Sequence, residues 1–308
     1  MMLQPANTGE LQTIIRDART QSTPLRLISR GTGPAGVSGG VVASTRLDLS
    51  LFSGIVEYVP GDLTLTAGAA TTIAEIDAAT AAHHQWCPLL PWGTDSGSLG
   101  ATFATATTGP CSRSLGTPRD VAIGVQFVDG TGALARGGGR VVKNVAGFDL
   151  TRLLVGSWGT LGAITEISIR LRAQPVVDET WTLHFAPTDD AAKLRLAALR
   201  RGPLAPLACE TLTTARAAAL GLPNASVLIR LGGNTAFVAA ARAAVRALGR
   251  AEPCDAAVWS RYRALDPHPR TVTANAFADP LSQRIKTRFD PAHVLNRFAG
   301  GHGTEGNT

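Results

Sequence analysis

The chain has 308 residues, more than one compact core usually holds, so one large domain and a smaller one are expected. With 44% hydrophobic and 17% charged residues the composition is globular, and no run of about 18 apolar residues marks a membrane span. The net charge of +6 comes from scattered arginines with 5% aromatic residues, so neither a basic tract nor a stacking platform for nucleic acid is present.

Residues 8–20 carry Leu11, Ile14, Ile15 and Ala18 on one helical face, with Thr8 as the expected N-cap. Pro24 leads into a short strand, LRLIS, which runs into RGTGPAGVSGG at 30–40. Gly31, Gly33, Gly36 and Gly39 let backbone N–H groups form a nest for phosphate oxygens, although a plain surface loop reads equally well from these residues alone. Short strands follow at VVAST and LDLS, then a hairpin over Ile55–Gly68 turning at Pro60-Gly61-Asp62. Residues 71–84 return to helical periodicity, with Thr71 or Thr72 capping and Glu75 completing a capping box with Thr72. His83 and His84 end that helix, where positive charge is favoured.

The stretch Pro88–Pro118 reads as a long functional loop. Its segment PWGTDSGSLGATFATATTGP (91–110) is small and hydroxyl-rich, yet too apolar at Leu99, Ala101, Phe103, Ala104 and Ala106 for a plain surface loop. A second hairpin joins VAIGVQFVDG to GALARGG through Asp129-Gly130-Thr131-Gly132. In GGRVVKNVAGFDLTRLLVGSWGTLGAITEISIRL (138–171), Gly156, Gly159 and Gly162 recur too densely for a helix and imply tight turns that bring backbone against a flat or extended ligand. A helix near 149–155 and a strand over 163–172 close the region. After Pro175 come strand WTLHFA, a helix over 188–201, strands CETLTT and SVLIRLGG, and an Ala/Arg helix over 235–249, a small α+β layer. A polar glycine-rich tail, 299–308, is expected to be disordered.

Cys87, Cys111, Cys209 and Cys254 have no metal-ligand spacing, so no metal or iron–sulfur site is expected and a reducing cytoplasmic compartment fits. Residues 1–10 lack a signal-peptide pattern.

In order and spacing, the three glycine-rich segments resemble FAD-binding domains of the vanillyl-alcohol oxidase/para-cresol methylhydroxylase (PCMH) class. More narrowly, KNVAGFDLTRLLVGSWGTLGAITEISI resembles the family of glycolate oxidase FAD-binding subunits, and RFDPAHVLN (288–296) is similar to that family's closing motif. The resemblance covers roughly residues 20–175. It implies an α+β fold: a PCMH-type FAD-binding domain of two α+β subdomains over 1–175, then a smaller α+β cap-like domain over 176–298. It implies that Gly31, Thr32, Gly33, Pro34, Ala35, Gly36, Val37 and Ser38 hold the pyrophosphate of the FAD. Pro91, Gly93, Thr94, Ser98, Leu99, Gly100 and Ala101 would line the flavin and ribityl chain, and Thr105, Thr108 and Gly109 would continue that wall. Gly159, Leu161, Gly162 and Ile164 would present backbone to the cofactor. Lys143 and Asp149 match family positions, although Asp149 could simply pair with Arg152 on a local helix.

Some relatives attach the flavin through a His in the pyrophosphate loop. This chain has none there, so non-covalent FAD is expected, and Cys111 is expected to be an idle thiol rather than an attachment point. Catalytic relatives also carry clustered His motifs, whereas His83, His84, His184, His268, His293 and His302 form no such cluster. Arg30, Arg113 and Arg119 are the candidate partners for a substrate carboxylate, and no catalytic base is evident. The resemblance therefore implies the FAD-binding subunit of a glycolate oxidase-like complex that oxidises glycolate to glyoxylate, with hydride passing to flavin N5. A second flavin subunit and an iron–sulfur subunit would be its partners, and any peripheral contact with the inner face of the membrane would run through them. A self-sufficient oxidoreductase acting on another hydroxy acid or alcohol is the first alternative. A flavin-free assembly subunit is the second, and a uridine-nucleotide reductase of the same fold class is disfavoured.

Overall fold

The computed structural model describes residues 2–30, 44–139, 149–185, 189–222, 225–265 and 279–296. In chain order the elements are β1 (Met2–Leu3), α1 (Thr8–Thr20), β2 (Leu25–Ile28), β3 (Thr45–Asp48), β4 (Ile55–Val59), β5 (Thr64–Gly68), α2 (Ile73–Thr80), β6 (Gln85–Trp86), α3 (Leu99–Ala104), α4 (Ser112–Leu115), α5 (Pro118–Val121), β7 (Ala122–Asp129), β8 (Leu134–Gly138), α6 (Leu150–Leu154), β9 (Gly162–Arg170) and β10 (Arg172–Ala173). There follow β11 (Val177–His184), α7 (Asp190–Arg201), β12 (Ala208–Thr211), α8 (Thr214–Ala219), β13 (Val227–Gly233), α9 (Thr235–Arg246), β14 (Arg250–Cys254), α10 (Val258–Ala264) and α11 (Pro280–Phe289). This is the α+β class that the sequence implies.

The first part of the chain builds two main sheets, and β6 and β10 pair antiparallel as a two-stranded ribbon. β1, β3 and β2 form a small parallel sheet covered by α1, whose Leu11, Ile15 and Ala18 are buried against Leu25 and Leu47. The cap of α1 is Asn7 and not Thr8: the Asn7 side chain accepts from Glu10 N at 3.0 Å, so Thr8 already lies in the first turn. The second sheet is antiparallel, in the order β4-β5-β9-β7-β8, and both expected hairpins are present in it. α2, α3 and α6 cover it, with Ile76, Leu99, Phe103 and Leu154 packing on Leu65, Phe127, Ile167 and Ile169. The Thr72–Glu75 capping box starts α2 as expected. Val128 and Ala163 belong to the core under α1, so the two sheets share apolar packing.

The stretch 88–118 is not one long loop, since α3 and α4 lie within it. α3 contains Gly100, a poor helix former. A Cβ there would stand 2.7 Å from Ala69 Cβ and 2.8 Å from Ala69 O, so close approach to the end of β5 overrides propensity.

β11 to β14 form the second unit, an antiparallel sheet in the order β12-β13-β11-β14 with α7 and α9 in the crossovers. This is the split β-α-β arrangement with helices packed on the sheet. In this part of the chain no local sequence pattern announces α8, β14, α10 or α11.

The chain then returns to the first unit. Val294 O accepts from Leu25 N at 2.7 Å, Asn296 N donates to Leu25 O at 3.0 Å, and Leu295 bridges Leu25 in parallel. Ile285 and Phe289 of α11 pack on the core of the antiparallel sheet. Residues 280–296 thus pack with the first unit, and the expected assignment of 176–298 to a single second domain needs this correction. Apolar pairing with β2 and the antiparallel core outweighs sequence adjacency. The expected tail at 299–308 and the strand residues 41–43 lie outside the described residues.

Candidate functional site

The second and third glycine-rich segments meet in space. Ser98 caps α3 by accepting from Ala101 N at 3.2 Å, while Leu99 N and Gly100 N donate to Thr71 O and Ala69 O at 2.8 and 2.6 Å. These bonds seat the start of α3 on the end of β5. At the other end of α3, Phe103 O accepts from Gly156 N at 3.0 Å and Ala104 O from Trp158 N at 2.8 Å. The turn 156–160 is therefore built onto α3, and positive φ at Gly156 (80°), Trp158 (54°) and Gly159 (70°) makes it tight.

The wall 91–109 is a pair of crossing segments. Trp92 N donates to Thr108 O at 2.9 Å, and a Cβ on Gly109 would stand only 1.6 Å from Leu90 O. Thr105 Oγ1 bonds both Ala101 O and Thr107 Oγ1 at 2.6 Å. Pro91, Ser98, Leu99 and Gly100 are buried, Gly93 is partly buried, and Thr94 is exposed with its hydroxyl 2.7 Å from Ser96 Oγ. Gly93 has φ +101° and, among the described residues, nothing within 4 Å of a would-be Cβ, so its backbone borders open space there.

Four of the expected cofactor-facing glycines have another reason to be glycine. The space beside Gly100 is filled by Ala69 and that beside Gly109 by Leu90. At Gly159 a Cβ would meet Asn296 Nδ2 at 2.6 Å and Leu27 Cδ1 at 2.9 Å, and at Gly162 it would meet the Phe127 ring at 2.5 Å. Leu161 and Ile164 are buried core residues. Asn296 donates to Trp158 O and accepts from Leu27 N, both at 2.7 Å, so the closing motif ties β2 to the 156–160 turn. The pyrophosphate loop Gly31, Thr32, Gly33, Pro34, Ala35, Gly36, Val37 and Ser38 lies outside the described residues, as does Lys143.

Two buried hydroxyls border these elements without a hydrogen-bond partner among the described residues: Ser29 Oγ, just before the pyrophosphate loop, and Ser157 Oγ, in the 156–160 turn. Buried unsatisfied hydroxyls are costly, and a polar ligand alongside would satisfy them. With the open backbone at Gly93, they fit an extended polar cofactor.

Asp149 caps α6 by accepting from Arg152 N at 2.9 Å and also pairs with the Arg152 side chain at 3.4 Å, which is the local helix role. Arg30 corrects an expectation: its guanidinium donates to Ala70 O and to both Glu75 oxygens at 2.8–3.1 Å, so it joins β2 to α2 rather than awaiting a substrate carboxylate. Arg113 and Arg119 are exposed. Burial pushes the Cys111 thiol up to about 11, which suits an idle thiol.

No motif in the sequence singles out Arg263 of α10. It is 6% exposed, bonds Pro91 O at 3.0 Å and pairs with Asp95, and its own carbonyl accepts from Gly93 N at 3.0 Å. Nearby, burial raises the Asp77 carboxyl to about 6, with the Asp95 charge adding to the rise; Cys87 N, donating at 2.8 Å, and Arg263 pull it down by less. Among the described residues no cluster of His, Cys, Asp and Glu could hold a metal ion, and no helix is long and apolar enough to cross a membrane.

Comparison with known proteins places this geometry in a flavin context. Residues 1–138 match the family model of the FAD binding domain. The chain is 36% identical over 163 residues to the glycolate oxidase subunit GlcE of Escherichia coli, covering 52% of this chain and 46% of that protein. It is 29% identical to a D-lactate dehydrogenase of Archaeoglobus fulgidus (68% of this chain, 46% of that one) and 29% identical to the glycolate oxidase subunit GlcD of Bacillus subtilis (62% and 41%). The chain thus spans about half the length of the curated relatives it matches or less. A solved alkyldihydroxyacetonephosphate synthase superposes with a TM-score of 0.69 at 17% identity, over 86% of this chain and 56% of that one, a likeness of fold.

Proposed function

We propose that the chain, whose residues 1–138 match the FAD binding domain, is an FAD-dependent oxidoreductase subunit acting on a 2-hydroxy acid, with glycolate, oxidised to glyoxylate, as the substrate. FAD, when bound, supplies a hydride acceptor at N5. The chain's own residues bind and orient it. Gly31 to Ser38 receive the pyrophosphate. Pro91, Gly93, Thr94, Ser98, Leu99, Gly100 and Ala101, with Thr105, Thr108 and Gly109, would line the flavin and ribityl side, and Gly159, Leu161, Gly162 and Ile164 would present backbone to the cofactor. The single observation that carries this reading is the seating of α3 between the end of β5 and the 156–160 turn, with Ser157 Oγ buried beside it and without a hydrogen-bond partner among the described residues.

Oxidation of a hydroxy acid also needs a base for the hydroxyl proton. His184 sits on the second unit's sheet within 3.6 Å of Glu252, and the ring of His83 packs edge-on against Tyr58, so both have partners outside the cofactor wall. We therefore assign the proton acceptor to a partner flavin subunit, and the onward electrons to an iron–sulfur subunit. Likeness to both GlcE and GlcD supports such an assembly. The FAD is non-covalent in this reading.

The test is the visible spectrum of the purified full-length chain with FAD, before and after anaerobic glycolate. Flavin bands that stay oxidised alone but bleach once the partner subunits are added are expected. Absence of flavin bands after FAD is supplied would leave an assembly subunit. Bleaching by the chain alone would make it self-sufficient.

A further inference from the structure

Helix α10 is held rigidly by the second unit and in turn holds the cofactor wall. Val258, Trp259 and Tyr262 are all at most 6% exposed. Trp259 Nε1 donates to Thr180 Oγ1 on β11 at 2.9 Å, and Tyr262 Oη donates to Glu210 on β12 at 3.1 Å. The Tyr262 ring packs edge-on against Trp259 and tilted against Trp92, at 5.3 Å between centroids. One turn of helix thus reaches two strands of the second unit's sheet on one side and residue 92 on the other.

Arg263 completes the connection. A guanidinium that is 6% exposed stands only with partners that match its charge and its donors. Its partners are Pro91 O and the Asp95 carboxylate, on either side of Gly93, and Ser260 Oγ donates to Asp95 at 3.0 Å from the same helix. Gly93 N, donating to Arg263 O, fixes the remaining peptide plane. Arg263 and Ser260 therefore constrain Pro91, Gly93 and Asp95 together. Gly93 needs that constraint: at φ +101° with open space beside it, the peptide has no side chain to hold its orientation.

We propose that Arg263 is a positioning residue for the cofactor: by clamping Pro91 and Asp95 it presents the Gly93 backbone to FAD, so that the second unit sets the affinity of the first for its flavin. This rests on the reading of residues 91–109 as the flavin wall. A pre-ordered loop binds more tightly because less conformational freedom is lost on binding. Without the clamp that freedom returns and must be lost again when FAD binds.

The experiment uses the full chain with Arg263→Met, Arg263→Lys and Asp95→Asn. The FAD dissociation constant is read by flavin fluorescence quenching, the visible-region circular dichroism of the bound flavin is recorded, and the FAD-free chains are melted. Arg263→Met is expected to weaken FAD binding by about tenfold or more and to change the flavin dichroism. Arg263→Lys should recover part of the affinity through a single bond to Pro91 O. A dissociation constant within about twofold of the parent in Arg263→Met, with only the FAD-free melting temperature lowered, makes the arginine mere glue and overturns the proposal. Should Arg263→Met fail to fold, Asp95→Asn decides by the same criteria, because the Asp95 side chain is 50% exposed and its loss removes the ion pair without emptying the core. A parent chain that binds no FAD at all counts instead against the flavin reading itself.

Discussion

At Asp77 the chain keeps a carboxylate largely out of water, and its value of about 6 has a consequence with a definite sign. The folded chain holds this proton up to about pH 6 while the unfolded chain releases it near the ordinary 3.8. The stability contributed by this group therefore falls as pH rises through that window and is level above it. Asp77→Asn keeps an acceptor for Cys87 N and removes the titration. It should be more stable than the parent by up to about 3 kcal/mol at about pH 7.5, at roughly 1.4 kcal/mol per pKa unit, and by much less near pH 4. Melting temperatures of the two chains at both pH values check this, and a constant difference would count against it. The same scale shows what sequence could and could not disclose. Thr72 and Glu75 are three residues apart, so their capping box was legible. Gly100, Gly109, Gly159 and Gly162 were legible as glycines near a tight contact, but the neighbours are Ala69, Leu90, Asn296 and Phe127. Of these, Leu90 and Asn296 approach from 19 and 137 positions away, differences (109 − 90 and 296 − 159) that no local pattern reports. Arg263 was one scattered arginine among many until α10 set it against Pro91.

Among the elements, the short closing segment 290–296 is densely connected. Asp290 is fully buried and accepts from Val294 N at 3.0 Å, Leu295 N at 2.9 Å and Lys286 Nζ at 2.5 Å. Lys286 also donates to Thr160 O at 2.6 Å and Leu295 O at 2.9 Å, so one ammonium joins α11, the 156–160 turn and the closing strand. Removing one partner of a buried pair leaves the other charge unmatched, at a cost of about 3–5 kcal/mol. Lys286→Met is therefore expected to lower the urea midpoint markedly while leaving the second unit's sheet intact. Hydrogen exchange should show lost protection at Leu25 and Leu27 but not at Ile229. Uniform loss at all three would mean that the segment is no local staple. The elements read best from sequence were those with local signatures: α1, α2, both hairpins, β9, α7 and α9. α3 was read as loop because Gly100 and its small neighbours lack helix propensity, and β14 because Pro253 and its charged neighbours hide a strand that exists only by pairing with β11.

For the whole molecule, the two units are not separable at residue 175. Trp86, Cys111 and Leu115 from the first unit share a core with Leu212, Leu228 and Tyr262 from the second. The Arg230 guanidinium, paired with Asp178 at 2.6 Å, also lies 5.1 Å from the centre of the Trp86 ring. A fragment of residues 1–175 would expose that core and lose the 280–296 segment from β2. It should keep helical far-ultraviolet dichroism, lack near-ultraviolet signal and bind hydrophobic dye, the behaviour of a collapsed chain without fixed packing. Sharp near-ultraviolet dichroism and FAD binding by that fragment would contradict the shared core. The fold class was legible through the family resemblance that the glycine-rich segments carry. The return of the chain was not, because RFDPAHVLN has no feature that names β2 as its partner.

That return also orders events during synthesis. β2 gains its neighbour Leu295 only after the intervening 269 positions (295 − 26) have left the ribosome. The second unit's sheet, whose strands lie between 177 and 254, can pair well before then. Closing so long a loop is the slow, entropically costly step. The nascent flavin domain is thus a half-finished vessel, its last stave delivered after the part that clamps its wall is already built.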